Sequence, residues 1–265
     1  MTVAWIRKHL LTFAAMVTLA ILLVPNLVVA VYSFNKPNGR FNIEFVRFSL
    51  DAWLDPCGTP GICTSVGLSL RIGFLASLVA TILGTMIAFA LTRHHFRGRS
   101  TTNLLIFMPM ATPEVVMGSS LLALFLNIGM STGAMAILIA HIMFCLSFVV
   151  VAVKARVATL DPRLEEAAAD LGSRPVSTFL RVTLPLVAPG IAAGALLSFS
   201  LSFDDYIITN FNASPQSVTF PMYVWGAAQR GTPVQINVIG TVMFLVALAV
   251  VLLGQVISAR RAKGR

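Results

Sequence analysis

The sequence predicts an all-α, polytopic membrane protein with six transmembrane helices, and three observations carry that prediction. The first is composition: of 265 residues, 57% are hydrophobic and only 11% charged, and the mean hydropathy is +0.87. Ordinary globular chains carry about a quarter charged residues. A soluble fold and a disordered chain both need more polar surface than this, so both are excluded. The second is the presence of six apolar runs, 10–31, 66–91, 103–128, 134–153, 186–211 and 238–257. Each is long enough for the roughly 20 residues that cross a hydrocarbon core as a helix. The third is the placement of charge. The balance of 19 Lys+Arg against 10 Asp+Glu gives a formal +9. In a soluble protein that excess would point to nucleic acid; here it points to basic loops held on the cytoplasmic face, with no nucleic-acid partner.

The first run follows Arg7 and Lys8 but is longer than a signal-peptide core and is not closed by a small-x-small cleavage pattern, so it is retained as a span. With six spans both termini share one side. Arg7, Lys8, Arg93, Arg97, Arg99, Lys154, Arg156, Arg163, Arg174, Arg181, Arg260, Arg261, Lys263 and Arg265 fall on that side, against Lys36, Arg40, Arg47, Arg71 and Arg230 on the other. The expected protein is therefore multi-pass in the inner (cytoplasmic) membrane, with lipid around it and both termini in the cytoplasm.

Between the first two spans, Cys57 and Cys63 bracket the turn-rich segment Pro56-Cys57-Gly58-Thr59-Pro60-Gly61-Ile62-Cys63 in an outer loop. The spacing is compatible with two unrelated loop residues and with a disulfide. The disulfide is favoured, because a Gly- and Pro-rich loop can bring two Cα atoms to about 5.5 Å. Cys145, inside the fourth span, is expected to stay a thiol. The same outer loop carries Phe34, Phe41, Phe45, Phe48 and Trp53, which read as an interfacial aromatic belt.

The segment between the fourth and fifth spans is patterned rather than connecting. Asp161-Pro162 is a helix-start signal, Glu165 and Glu166 suit the first turn, Ala167, Ala168 and Ala169 propagate, and Gly172 closes with a left-handed residue. A short amphipathic helix outside the membrane is expected, followed by a turn at Ser173-Arg174-Pro175 and a second short piece with Phe179 and Val182. Leu184-Pro185 and Pro189-Gly190 are then expected to turn the chain back into the bilayer.

Glu166-Ala167-Ala168, then Gly172, then Val182-Thr183-Leu184-Pro185 resembles the EAA signature of inner-membrane permeases in binding-protein-dependent ABC importers, with Val182 where that pattern has Ile. The resemblance extends over essentially the whole chain to permeases of the spermidine/putrescine type. It is carried by Thr92-Arg93 with Phe96-Arg97-Gly98, by Pro113-Glu114-Val115-Val116-Met117, by 141–151, and by Leu196-Leu197-Ser198-Phe199-Ser200-Leu201-Ser202-Phe203-Asp204-Asp205. Glu114 stands where relatives often have Asp. The resemblance implies a single ABC transporter transmembrane domain over 1–265, of the type I importer fold, and a polyamine as solute, with other small solutes of the same importer family as the alternative. It also implies a second permease subunit, a homologous heterodimer partner being favoured over a second copy of this chain, together with two ATP-binding subunits and an extracytoplasmic substrate-binding protein. Glu166, Ala167, Ala168, Gly172, Leu184 and Pro185 would couple the bundle to the ATPase.

The chain contains no Gly-x-x-x-x-Gly-Lys-Ser/Thr segment, so it is not expected to be an enzyme. ATP and Mg are assigned to the partner ATPase, and no cofactor to this chain. Acidic residues supply the substrate argument, because a carboxylate at the centre of a spanning helix costs about 2.5–3.5 kcal/mol and normally faces a cavity or a partner. Glu114 is expected about 16 Å into a third span that Pro109 and Pro113 open locally. Asp204 and Asp205 lie toward the outer side of the fifth span, and adjacent helical positions point about 100° apart, so only one of them can face a path squarely. Which one is open, and helix packing or contact with the partner permease is the alternative role for all three. Tyr223 and Trp225, near the outer start of the sixth span, are placed either to stack on an ammonium or to form a belt.

His141 and Cys145 share a helix face at i,i+4, but no third ligand accompanies them, so a packing histidine is expected and no metal site. Gly190 and Gly194 form a small-xxx-small pair suited to close helix approach. Two rival functions are an intramembrane enzyme, for which no His-Glu-x-x-His, Gly-x-Gly-Asp or Ser/His pair is present in the spans, and a proton-coupled secondary transporter, for which no internal repeat is detected.

Overall fold

The computed structural model describes the backbone of residues 3–263 and the side chains of 9–254. The side chains of Arg7, Lys8, Arg260, Arg261 and Lys263, and Arg265 altogether, lie outside the described residues. Among those described, every regular element is helical, and an isolated antiparallel bridge between Asn35 and Phe48 is the nearest approach to a strand. In chain order the helices are α1 (Val3–Tyr32), α2 (Asp51–Leu54), α3 (Ile62–Arg93), α4 (Arg99–Ala111), α5 (Glu114–Asn127), α6 (Ala134–Ala158), α7 (Arg163–Asp170), α8 (Pro175–Thr178), a π-helical turn (Phe179–Thr183), α9 (Leu184–Asp204), α10 (Ile207–Asn212), α11 (Phe220–Arg230) and α12 (Val234–Lys263). Among the described residues, five continuous helical runs are long and apolar enough to cross a membrane, and the bent pair α4–α5 makes a sixth when counted as one broken span.

The expected runs 10–31, 66–91, 134–153 and 238–257 fall inside α1, α3, α6 and α12. The third run does not form one helix. It breaks at Thr112-Pro113, and the two arms are bent by 109°. Proline disfavours helical geometry in the residue before it, and Thr112 is accordingly extended at φ −82°, ψ 131°. Pro113 is extended too, with no N–H to carry the ladder across. Pro109, by contrast, is accommodated within α4. The fifth run also departs from expectation. The turns anticipated at Pro185 and Pro189 are absent, and α9 runs straight through both. Its irregularity lies one turn earlier: the Leu184 amide bonds to the Phe179 carbonyl across a π-type ring, immediately before Pro185, which has no amide to give.

The chain clusters into two compact units. One holds the residues up to Cys63 together with those from Val224 onward, and the other is Thr64–Tyr223. In the first, α12 packs on α1 and α2, and Trp53 lies against Val234 and Val238. The loop after α1 is a folded lobe organised by Asn35. Its amide donates to Asn42 Oδ1 and the Glu44 carbonyl, both at 2.6 Å, while its oxygen accepts from the amides of Val46 and Arg47. Phe34 stacks between Phe48 and Trp53, so part of the expected belt is a local core, whereas Phe41, Phe45 and Phe48 remain exposed. Lys36 donates to Asp51, and this bond is the main reason that the Asp51 carboxyl is held below its usual range. Cys57 and Cys63 are joined by a disulfide, with Cα atoms 5.4 Å apart.

The second unit is built on α6, which is buried along most of its length. Val149 fits between two glycines: a Cβ on Gly84 of α3 would stand 2.7 Å from its Cγ1, and one on Gly194 of α9 would stand 3.6 Å from it. One turn before Gly194, a Cβ on Gly190 would meet Arg156 Cβ at 2.5 Å. The small-xxx-small pair thus sets the close approach of α9 to α6.

Candidate functional site

The segment carrying Glu166 forms α7 as a solvent-facing helix of eight residues with no buried side chain. Asp161 Oδ1 accepts from the Arg163 amide at 3.0 Å, satisfying one of the free donors of the first turn. Glu165 and Glu166 sit in that turn, where the helix dipole favours negative charge. At the other end Gly172 has φ +81°. Its amide bonds to the Ala169 carbonyl at 2.8 Å, and that of Ser173 to the Ala168 carbonyl at 3.0 Å. This pair of bonds is the Schellman closure that a left-handed glycine permits. Glu166 and Ala167 are exposed, Ala168 is half-buried, and Leu184 and Pro185 form the first turn of α9 beyond the π-helical turn. The arrangement is a short, mostly exposed helix with both ends capped.

The acidic residues are brought into different environments. The helix expected to continue from Asp204 to Phe211 stops at Asp204: Asp205 is extended at φ −63°, ψ 125°, and α10 begins at Ile207. Asp205 Oδ2 accepts from the Thr209 amide and the Thr209 hydroxyl, each at 2.8 Å, and its Oδ1 from the Ile208 amide at 3.3 Å. On α6, His141 Nε2 stands 3.0 Å from Thr209 Oγ1 and 3.3 Å from Asp205 Oδ2, and Nδ1 stands 2.7 Å from Ser202 Oγ. With the Thr209 proton committed to Asp205, Nε2 is the donor toward Thr209. Asp205 is therefore a buried cap that joins α6, α9 and α10, whereas Asp204 next to it is exposed. Asp204 is thus exposed, and Asp205 is buried and tied to other helices.

Glu114 is exposed in the first turn of α5, directly after the break, rather than midway along a straight helix. No hydrogen bond or ion pair among the described residues joins it to either aspartate. One turn later, a Cβ on Gly118 would stand 2.8 Å from Phe211 Cδ2 and 3.3 Å from the Ile208 Cα, so α5 lies directly on α10. The junction that Asp205 caps is thus the surface that positions Glu114's helix. Tyr223 and Trp225 belong to α11, a separate helix from α12, so neither begins the sixth span. Tyr223 is half-buried and Trp225 exposed. Cys145 Sγ lies 3.3 Å from the Ser198 carbonyl, one more tie between α6 and α9. Among the described residues no group of three or more His, Cys, Asp or Glu is placed to hold a metal.

Sequence reasoning favours a hydrogen-bonded packing histidine at 141 and offers Ser202 as a partner for one of the aspartates; Ser202 instead bonds His141, and Thr209 is missed. The only available signal was a lone histidine on an apolar helix, whose partners lie 61 and 68 positions away.

Comparison with known proteins adds family likeness to this geometry. Residues 80–264 match the family described as binding-protein-dependent transport system inner membrane component. The chain is 34% identical over 244 residues to the spermidine/putrescine transport system permease protein PotC of Haemophilus influenzae, covering 92% of this chain and 94% of that protein. It is 35% identical over 229 residues to the putrescine transport system permease protein PotI of Escherichia coli, covering 84% and 81%. Among solved structures, a chain of a bacterial ABC transporter involved in the import of the acidic polysaccharide alginate superimposes with a TM-score of 0.69 over 97% of this chain and 98% of that one, at 16% identity.

Proposed function

Because the chain belongs to the binding-protein-dependent transport system inner membrane components, we propose that it forms part of the translocation path of an ABC importer for a polyamine, spermidine or putrescine. The observation that carries the solute is the identity of about a third to two polyamine permeases over more than four-fifths of this chain. The exposure of Glu114 and Asp204 supports it, since carboxylates are what a linear polycation needs along its route, each making a charge-assisted hydrogen bond to an ammonium group. The chain is a multi-pass inner-membrane permease component, and 1–265 is read as one transmembrane domain. The asymmetry of basic residues supports a cytoplasmic position for its termini and α7, with Cys57–Cys63 on the opposite side.

In this reading α7 is the handle for a separate ATPase. ATP and Mg are held there, since this chain has no phosphate-binding loop, and nucleotide-driven closure displaces α7 as a rigid body. A homologous second permease, two ATPase subunits and an extracytoplasmic binding protein complete the assembly. The test is to purify the chain with whatever it binds in its own membrane, identify the subunits, and measure putrescine and spermidine uptake in cells with and without the gene. Co-purification of an ATPase and loss of polyamine uptake on deletion are expected. An isolated chain, or undiminished polyamine uptake without it, would overturn the reading.

A further inference from the structure

The last residue of α3 meets the first turn of α7. Arg93 Nη2 lies 3.5 Å from Glu165 Oε1, and the same oxygen accepts a hydrogen bond from Thr183 Oγ1 at 3.1 Å. Thr183 is the buried end of the π-helical turn. At the other end of that turn, Phe179 packs edge-on against Phe89 of α3, with ring centroids 5.3 Å apart. One carboxylate and one ring pair therefore join three elements: the end of α3, the start of α7 and the root of α9.

Stability alone is a poor reason for this arrangement. The Arg93 side chain is only 17% exposed, and its Nε and Nη2 have no hydrogen-bond partner among the described residues. A guanidinium has five donors in a fixed fork, and one largely withdrawn from water with so few of its donors bonded gains little for folding over an apolar side chain of similar volume. What the pair supplies instead is a charge contact between the end of α3 and the start of α7. Besides it, α7 packs on α8 and the π-helical turn, and its C-terminal end closes at Gly172. The π-helical turn is itself a less favoured winding, and a place where a helix can change register. The Thr183 bond to Glu165 fixes one end of that turn to α7.

We propose that Glu165, held by Arg93 and Thr183, is a positioning residue that makes α7, the π-helical turn and the end of α3 move as one body. A displacement of α7 then reaches α3 directly as well as α9 through the chain. The proposal rests on reading α7 as the ATPase handle. It concerns Glu165, not the signature glutamate Glu166 beside it, which stays exposed.

The test uses the complete complex in lipid vesicles, with nitroxide labels on Asp170→Cys and His95→Cys, both exposed positions. Background labelling is limited, since Cys145 is buried and Cys57 is bonded to Cys63. In the otherwise unaltered chain the label separation is expected to stay constant between the nucleotide-free and ATP-trapped states. In Glu165→Gln, an isosteric change that keeps an acceptor for Thr183, it is expected to change with nucleotide, and uptake per ATP hydrolysed should fall by about 5-fold or more. Arg93→Lys, which keeps the charge but not the fork, should fall between the two.

A separation that changes with nucleotide in the unaltered chain, or stays constant in Glu165→Gln, overturns the proposal. So does loss of the assembled complex in both variants, which would assign the pair to packing. If the unaltered complex takes up neither spermidine nor putrescine, the polyamine reading fails by itself, and the label distances still decide the role of Glu165.

Discussion

His141 Nε2 stands 3.3 Å from Asp205 Oδ2, with the two side chains only 1% and 3% exposed. The pair ties the N-terminal third of α6 to the point where α9 ends and α10 begins, and α10 in turn carries α5 with Glu114 at its start. Two neighbouring aspartates thus sit in different environments, one buried and bonded and one at the surface.

Asp205→Asn should be destabilising and Asp204→Asn should not. An amide in place of the buried carboxylate turns one acceptor oxygen into a donor facing Thr209 or Ile208, and an unsatisfied buried polar group costs about 1–3 kcal/mol. Thermal unfolding of the two purified variants in detergent is the measurement. A lower Tm for Asp205→Asn alone is expected, and equal values for both would show that the cap carries no stability.

Gly172→Val should uncouple transport while leaving the protein inserted. At φ +81° a β-branched residue is strained, and the Schellman closure that fixes the end of α7 would be lost. Uptake and ATP hydrolysis measured together in vesicles check this. Normal coupled uptake would mean that the geometry of this end does not matter.

Gly190→Leu should weaken the α6–α9 packing. Even a methyl would stand 2.5 Å from Arg156 Cβ, which cannot swing away because it is next to the backbone. Overpacking of this kind costs about 1–3 kcal/mol, so a lower yield of monodisperse protein is expected by size-exclusion chromatography. Gly226→Ala, at a position with open space around it, is the control that should behave as the unaltered chain does.

The spans are legible in the sequence because apolar length and basic flanks are properties of contiguous residues. Helix α7 is legible for the same reason: Asp161, the alanine run and Gly172 write its start, body and stop within a dozen residues. Counting along an uninterrupted helix fails at Pro113, where the bend depends on two successive extended residues, and again at Asp205, where the helix ends without Gly or Pro to mark it. What ends it there is a carboxylate whose partners, Thr209 and His141, come from two other helices. The irregularity at the root of α9 is expected at Pro185 and Pro189 but falls at 179–183, because proline advertises a break that the preceding residues have already absorbed. The Arg93–Glu165 pair joins residues in separate elements, and no local pattern encodes such a pair.

The disulfide offers a check on orientation. A membrane-impermeant thiol reagent applied to intact cells should label neither Cys57 nor Cys63 until a reductant is added, with Cys145 protected throughout by burial. Labelling that requires permeabilised cells would place this loop, and with it both termini, on the opposite sides.

The most direct measurement is accumulation of labelled putrescine and spermidine in vesicles containing the chain, its partner permease and ATPase, with the binding protein supplied outside. Uptake should require ATP, survive collapse of the proton gradient, and fall in Asp204→Asn and Glu114→Gln while capture by the binding protein is unchanged, because water cannot replace a charge-assisted hydrogen bond in a low-dielectric path. Polyamine uptake that proceeds without ATP and stops when the proton gradient is collapsed would contradict an ATP-driven importer. Full uptake by both amide variants would remove the carboxylates from the path.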